Sequence, residues 1–204
     1  MKRRIFLSQS LLLGLSACSL GRSSDVGLVH YDLGIEPMPG ISARLSRSLA
    51  LDEVSASAWL QTQGILYRLA YRDPAQLHAY SRSRWTASPA TLLTQRLRLA
   101  LSGSAERGIT MAADGVPSEH LLRAELDAFE QIVQSHTSSH ALVRVRASLI
   151  DAPARSLRAQ RSFSVERPCP NVDAEGAVHA LRNATDGLIA EMIEWLAALT
   201  RPGR

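Results

Sequence analysis

The chain has 204 residues, a length typical of one domain, and a formal net charge of +4 from 23 basic and 19 acidic side chains. Three of the basic residues are Lys2, Arg3 and Arg4, and without them 20 basic residues face 19 acidic ones, a balance of +1. The other basic residues are spread out, as at Arg82 and Arg84, which is typical of solvated faces. This excludes the clustered positive charge of a nucleic-acid-binding protein.

The first 18 residues have the layout of an export signal. Basic residues 2–4 precede an apolar stretch from Ile5 to Leu15, which is too short to span a bilayer because that takes about 20 apolar residues. The stretch ends in Leu15-Ser16-Ala17-Cys18, which resembles the lipobox of bacterial lipoproteins. We expect cleavage between Ala17 and Cys18 and attachment of lipid to the Cys18 thiol. The alternative is an ordinary secretory signal followed by a chance cysteine.

Removal of the leader, residues 1–17, leaves a small and polar tether over residues 18–27 and a domain over residues 28–204. In lipoproteins an aspartate after the lipidated cysteine is the usual inner-membrane retention signal. Ser19 stands there instead, which favours the outer membrane with the domain facing the periplasm. Cys169 is then the remaining thiol and cannot form an internal disulfide. We interpret it as a partly buried structural cysteine, with an intermolecular disulfide or a redox role as the alternative.

Alternation of apolar and polar residues predicts four strands in the first half of the chain. The first covers Leu28–Ile35, and the loop Glu36–Gly40 separates it from a second over Ile41–Val54. A hairpin follows, with arms at Gly64–Tyr71 and Gln76–Trp85 on either side of a turn that contains a proline.

A helix is predicted after this hairpin. Ser88 is suited to the N-cap and Pro89 to the first helical position. Leucines at positions 92, 93, 97 and 101 follow at helical spacing, and Ser102-Gly103 is expected to end the helix.

The segment His120–Val133 is ambiguous, because two apolar periods fit it. One set of residues has helical spacing and the other alternates as in a strand. The helical set is Leu122, Leu126, Phe129 and Val133, and the alternating set is Leu122, Ala124, Leu126 and Ala128.

The last third predicts a second hairpin and a long helix. Alternating residues over 143–149 and 157–165 form the two arms, and Asp151–Ala154 forms the turn. Asp173 caps a helix that extends to about Leu199, with a row of apolar residues on one side. The fold class is therefore α/β, with a mixed, largely antiparallel sheet of about six strands and two main helices on one face.

Motifs of catalysis, cofactor binding or metal binding are absent from the sequence. It has no GxSxG, HExxH, CxxC, GxxxxGK[ST] or GxGxxG pattern. His136 and His140 are four residues apart and would share one face of a helix, but the serine- and threonine-rich run around them favours a loop over a metal site. We therefore predict no catalytic residue, no metal site, no cofactor and no enzymatic activity.

The segment from Tyr67 to Leu101 resembles the ABC-type transport auxiliary lipoprotein family, which includes the lipoprotein of the paraquat-inducible Pqi system. In that family a hairpin ends in an Arg-Trp pair, followed by a short link with proline and a leucine-rich helix. The matching positions here are Arg84, Trp85, Pro89, Leu93 and Leu97. A weaker similarity covers residues 122–129 and the last helix, while the N-terminal third matches loosely.

The resemblance bears on the ambiguous segment and on Trp85. It implies that His120–Val133 is a strand with a bulge near Phe129. It also favours Trp85 as a large apolar plug where hairpin meets helix, with ligand contact as the alternative.

The resemblance further implies a non-enzymatic accessory component of an ABC transport system. The expected partners are an MCE-domain protein and the ABC permease and ATPase, and the cargo is a lipid or another apolar molecule moved between the two membranes. The resemblance also leaves a lipid ligand and a homo-oligomer open, and no residue in the sequence shows self-association. Two alternatives are an outer-membrane assembly lipoprotein unrelated to ABC transport and a lipid-anchored hydrolase.

Overall fold

The computed structural model describes residues 27–36, 38 and 42–201. The predictions for the leader, for cleavage between Ala17 and Cys18 and for the tether up to residue 26 concern residues outside these ranges. Within them the chain forms nine strands and two α-helices. The strands are β1 (Val29–Tyr31), β2 (Leu49–Leu51), β3 (Ser55–Ala56), β4 (Gly64–Leu69), β5 (Leu77–Trp85), β6 (Ile109–Met111), β7 (His120–Val133), β8 (Ser139–Asp151) and β9 (Ser156–Pro168), and the helices are α1 (Pro89–Ser104) and α2 (Ala174–Thr200).

The long strand β7 is the centre of the sheet. It pairs along its whole length with β8, which pairs antiparallel with β9. Its other side is shared by three short parallel partners, β2 at its start, β3 in its middle and β4 at its end. The sheet then continues from β2 to β6 and from β4 through β5 to β1. The predicted mixed sheet is confirmed, with its longest ladders antiparallel.

A bulge in β7 changes which side chains face the helices. The register against β8 shifts between Leu126 and Ala128. Before the shift Leu122 and Leu126 point towards the core, and after it Phe129 and Val133 do so. The prediction that His120–Val133 is a strand is confirmed, and the bulge lies two residues before Phe129.

Both helices begin at the predicted caps. The Ser88 side chain accepts a hydrogen bond from the Thr91 amide, and Pro89 takes the first position of α1. Asp173 Oδ1 accepts a 2.7 Å hydrogen bond from the Gly176 amide at the start of α2. Helix α2 packs on β8 and β9 and contacts α1, so both helices lie on one face of the sheet.

The N-terminal third differs from the prediction. The first strand is limited to Val29–Tyr31, and the expected strand over Ile41–Val54 is reduced to Leu49–Leu51 with a single bridge at Leu45. Two strands that the sequence did not predict, β3 with two residues and β6 with three, raise the number of strands above the predicted six. They are too short to produce a readable alternation, since a strand signal needs about four residues.

Smaller differences concern the ends of elements. Helix α1 continues through Ser102-Gly103 to Ser104, and the Ser102 and Ser104 hydroxyls donate to carbonyls four residues earlier instead of ending the helix. The arms of the first hairpin end at Leu69 and begin again at Leu77, a shortening of one or two residues that is usual at element ends.

Candidate functional site

Trp85 lies where β5 gives way to α1. Its side chain is fully buried and meets the Phe129 ring edge-on, with 5.5 Å between ring centroids. The indole Nε1 is buried without a hydrogen-bond partner among the described residues. This geometry packs Trp85 against β7 and away from solvent. A ligand could reach the indole only by displacing core side chains.

The other residues of the family-like motif surround this plug. Arg84 is half-buried and donates to the carbonyl oxygens of Tyr80 and Ser83. Pro89, Leu93 and Leu97 are buried on the face of α1 that turns towards the core. The motif therefore comes together as a packing unit.

A buried arginine on α1 joins three parts of the chain that the sequence did not connect. Arg96 Nε and Nη2 each lie 2.8 Å from a carboxylate oxygen of Asp186 on α2. Its Nη1 donates to the carbonyl oxygens of Gly34 and Glu36 at 3.2 and 2.7 Å. Such a bidentate pair fixes orientation as well as distance. Arg96 thus holds the segment that follows β1 against both helices.

A buried polar network lies at the end of the sheet where β7 stops. Tyr80 Oη donates to Gln131 Oε1 at 2.6 Å, and Gln131 Nε2 donates to Ser139 Oγ at 2.8 Å. Cys169 is half-buried beside this network, and burial raises the pKa of its thiol. Burial and the nearby Tyr67 likewise raise the pKa of Tyr80. A thiol held protonated is a weak nucleophile, which agrees with a structural role for Cys169.

The opposite end of the sheet carries a charged cleft around His120. The Glu119 carboxylate accepts hydrogen bonds from the Ser48 amide at 3.0 Å and from Arg47 Nη1 at 2.6 Å. These hydrogen bonds lower the pKa of Glu119 to about 2. His120 is 5% exposed and its Nδ1 has no partner among the described residues. Desolvation, reinforced by Arg158, lowers the pKa of His120, so the imidazole is neutral near pH 7.

The two histidines considered for metal binding lie on different elements. His136 is in the turn between β7 and β8 and stacks at an angle on Tyr71, with 5.1 Å between ring centroids. His140 is on β8, and its Nε2 lies 3.6 Å from Glu166. Residues 27–36, 38 and 42–201 contain no group of three or more potential metal ligands. Over the same ranges no helix has the length and apolarity needed to cross a membrane.

Several of these residues carried no sequence signal. Arg96 and Asp186 are 90 positions apart, and Tyr80 and Gln131 are 51 apart. A charged or amide side chain inside an apolar pattern is the one available hint, and Glu130 and Gln131 interrupt β7 in this way. Glu130 pairs with Arg68 on β4 at 2.7 Å, whereas Gln131 bonds to residues on β5 and β8. These partners become identifiable once the strand order around β7 is known.

The family of the protein follows from its sequence. Residues 31–193 match the family described as ABC-type transport auxiliary lipoprotein component. Since this match covers well over half of the chain, the protein belongs to that family, as the resemblance implied. It is thus a lipoprotein-family protein of the transport auxiliary type. No protein with a curated description matches it.

Solved structures share the fold. Protein XCC0632 from Xanthomonas campestris, described under the family designation DUF330, has a TM-score of 0.73 at 20% identity and covers 84% of this chain and 96% of its own. An uncharacterized protein has a TM-score of 0.65 at 16% identity, over 83% and 99%. Hypothetical protein CT253 from Chlamydia trachomatis has a TM-score of 0.50 at 10% identity, over 76% and 98%. At these identities the likeness concerns the fold alone.

Proposed function

We propose that the protein is a non-enzymatic accessory component of an ABC transport system that also contains an MCE-domain protein. Lipid on Cys18 anchors it in the outer membrane, and its domain faces the periplasm. There it docks the periplasmic end of the transporter and helps to pass lipids or other apolar molecules between the two membranes. The observation on which this rests is the family match over residues 31–193, combined with the lipobox at Leu15–Cys18.

Tethering gives this arrangement a physical purpose. A protein confined near one membrane meets a partner that arrives there at a high effective concentration, without any additional contact. Acyl chains supply the anchor, since each buried methylene contributes about 0.8 kcal/mol and two chains already give stable attachment.

The side chains found inside the domain suit a scaffold. Trp85, Arg96 and Gln131 are buried and engaged in packing or hydrogen bonds with other elements. The thiol of Cys169 is kept protonated by burial. Such residues stabilise a rigid body that presents surfaces to partners, which is the property an accessory subunit needs.

Site-specific cross-linking in cells tests the proposal. A photoreactive amino acid is placed at Tyr71 and, separately, at Leu157, which are 46% and 61% exposed and lie at opposite ends of the sheet. We expect at least one position to capture an MCE-domain protein or an ABC transporter subunit, identified by mass spectrometry. The matched control is the same variant with Cys18→Ala, in which capture should fall because the tether is lost. Capture of neither class of protein at either position would contradict the proposal.

A further inference from the structure

Strand β9 is a long edge of the sheet. Among the described residues it pairs with β8 and with no other strand, over the 13 residues Ser156–Pro168. The strands at the two other ends of the sheet, β1 and β6, have three residues each. Short edges offer few unpaired backbone groups, whereas a long edge can accept a further strand. The sheet therefore has one substantial docking edge within the described ranges.

The register shows which backbone groups of β9 are free. The Cys169 amide donates to the Ser139 carbonyl at 2.9 Å, and Pro168, opposite His140, has no amide hydrogen to donate. Backbone groups alternate between neighbouring strands in an antiparallel ladder. The amides and carbonyls that point away from β8 are therefore those of the even-numbered residues Gln160, Ser162, Ser164 and Glu166.

Three arginines line this edge without a carboxylate partner. Arg158 donates to the Leu199 carbonyl at 2.9 Å, and Arg167 donates to the Glu166 carbonyl at 2.9 Å. The Arg161 guanidinium lies over the Phe163 ring, 4.8 Å from its centroid. No ion pair within 4.0 Å joins any of the three to an acidic residue in the part of the chain that the structure describes.

We propose that β9 binds an extended acidic peptide segment of a partner protein as an additional antiparallel strand. Backbone hydrogen bonds to the free edge supply affinity in this mode of recognition, and alternate side chains supply specificity. Charge complementarity selects the occupant. A second copy of this chain is disfavoured, because pairing two β9 edges would bring two sets of arginines together.

The side chains of β9 define what the partner strand should contain. Arg161 and Arg167 are six positions apart on the face that carries α2, and Phe163 and Val165 lie between them. Trp195 of α2 is half-buried against Phe163, with 5.7 Å between ring centroids. A matching strand has acidic residues opposite the two arginines and apolar residues between them on the same face. The corresponding probe is the capped peptide Glu-Ser-Val-Ser-Val-Ser-Glu.

Fluorescence anisotropy with the full chain in detergent micelles measures binding of this peptide. Ser162→Pro removes an amide that points away from β8 and leaves the β8 ladder intact, so it should weaken binding about tenfold. Ser162→Ala keeps the amide and is the matched control, with a change of less than about twofold. Replacing the peptide's glutamates by lysines should abolish binding.

A charge variant tests the arginines separately. Arg161→Gln together with Arg167→Gln should weaken binding about tenfold and reduce its salt dependence. Arg72→Gln together with Arg82→Gln makes the same change in net charge at exposed positions elsewhere and should have little effect. Circular dichroism melting of each variant verifies that it is folded.

Specific outcomes would overturn the inference. These are no binding of the glutamate peptide, equal binding by the Ser162→Pro and Ser162→Ala variants, equal binding of the lysine peptide, or a dimer in sedimentation that Ser162→Pro dissociates. The last result would make a second copy the occupant. The inference goes beyond the proposed transport role, and the peptide measurement gives its answer whether or not an MCE-domain protein is captured in cells.

Discussion

The indole of Trp85 illustrates how a residue can be buried for its volume alone. It fills the junction of β5, α1 and β7, but its Nε1 meets no acceptor among the described residues. A buried donor without a partner costs free energy. The ring therefore contributes through packing, and its N–H opposes that contribution.

We predict that Trp85→Phe costs little and Trp85→Ala costs much. The phenylalanine keeps most of the apolar contact with Phe129 and removes the unpaired donor, so the free energy of unfolding should fall by about 1 to 2 kcal/mol. The alanine leaves a cavity and should cost about 3 to 5 kcal/mol. Urea unfolding followed by circular dichroism measures both. Equal losses for the two variants would contradict the packing role, because both substitutions remove the N–H and differ only in the ring that remains.

His120 provides a pH-dependent contribution to stability. Desolvation lowers its pKa in the folded state, with Arg158 and Arg47 in the same direction and Asp151 and Glu119 opposing. The unfolded chain therefore takes up a proton at a higher pH than the folded one. This stabilising term is fully present above the ordinary histidine pKa and is lost as the pH falls towards the lowered value.

The expected result is a loss of stability on acidification that depends on this side chain. Between about pH 7.5 and about pH 5, the free energy of unfolding should fall more for the natural protein than for the His120→Gln variant. Glu119 contributes little to the difference, because its pKa of about 2 keeps it ionised over this interval. Parallel pH profiles for the two proteins would contradict the assignment.

At the scale of elements, the bulge in β7 explains why the segment His120–Val133 fits both the helical and the strand period of apolar residues. The residues with helical spacing, Leu122, Leu126, Phe129 and Val133, all face the core because the bulge shifts the alternation by one residue. A strand with one bulge can thus imitate helical spacing. Pairing with β8, which alternates without interruption over 139–149, is what decides the matter, and that information is not local.

Deletions in β7 test this reading of the bulge. Removing Asp127 eliminates the extra residue while every other side chain keeps its face, so the variant should fold cooperatively. Removing Arg123 shifts the alternation by one residue, so Ala124 and Leu126 turn out of the core while the charged Glu125 and Asp127 turn into it. The fold should then be lost. Thermal melting by circular dichroism compares the two. A cooperative transition for the Arg123 deletion would show that the register of β7 can slip.

Long elements of this fold can be predicted from the sequence, and its shortest strands cannot. Long strands and capped helices were predicted because each contains several turns or alternations of its own pattern, as in β8 and α2. Strands β3 and β6 are set by pairing with β7 and with β2, so their own two or three residues carry no signal. Strand β2 lies inside the predicted strand Ile41–Val54, whose length was overestimated. Arg96 and Asp186 meet because two helices share one face, which again depends on the assembled sheet.

On the scale of the whole molecule, the proposed anchor at Cys18 would leave most of the reach from the membrane to the domain itself. In the proposed tether, residues 18–27, the nine residues after the lipidated Cys18 would extend at most about 30 Å. The 14 residues of β7 span about 45 Å on their own. The long β7–β9 ladders thus separate the polar network at one end from the charged cleft at the other. With the proposed lipid anchor, a body of this shape could hold one surface near the membrane and present another away from it.

Attachment should then depend on Cys18 alone, while folding should not. We predict that Cys18→Ala abolishes incorporation of labelled palmitate and releases the protein from the outer-membrane fraction. Its melting temperature should stay unchanged, because the buried core in the described part of the chain begins at Leu33. Cys169→Ala is the matched control, since it removes the second of the two cysteines and should leave lipid attachment intact. Palmitate incorporation by the Cys18→Ala protein together with its recovery in outer membranes would place the anchor elsewhere, and the tether length that confines the domain would have to be measured from another residue.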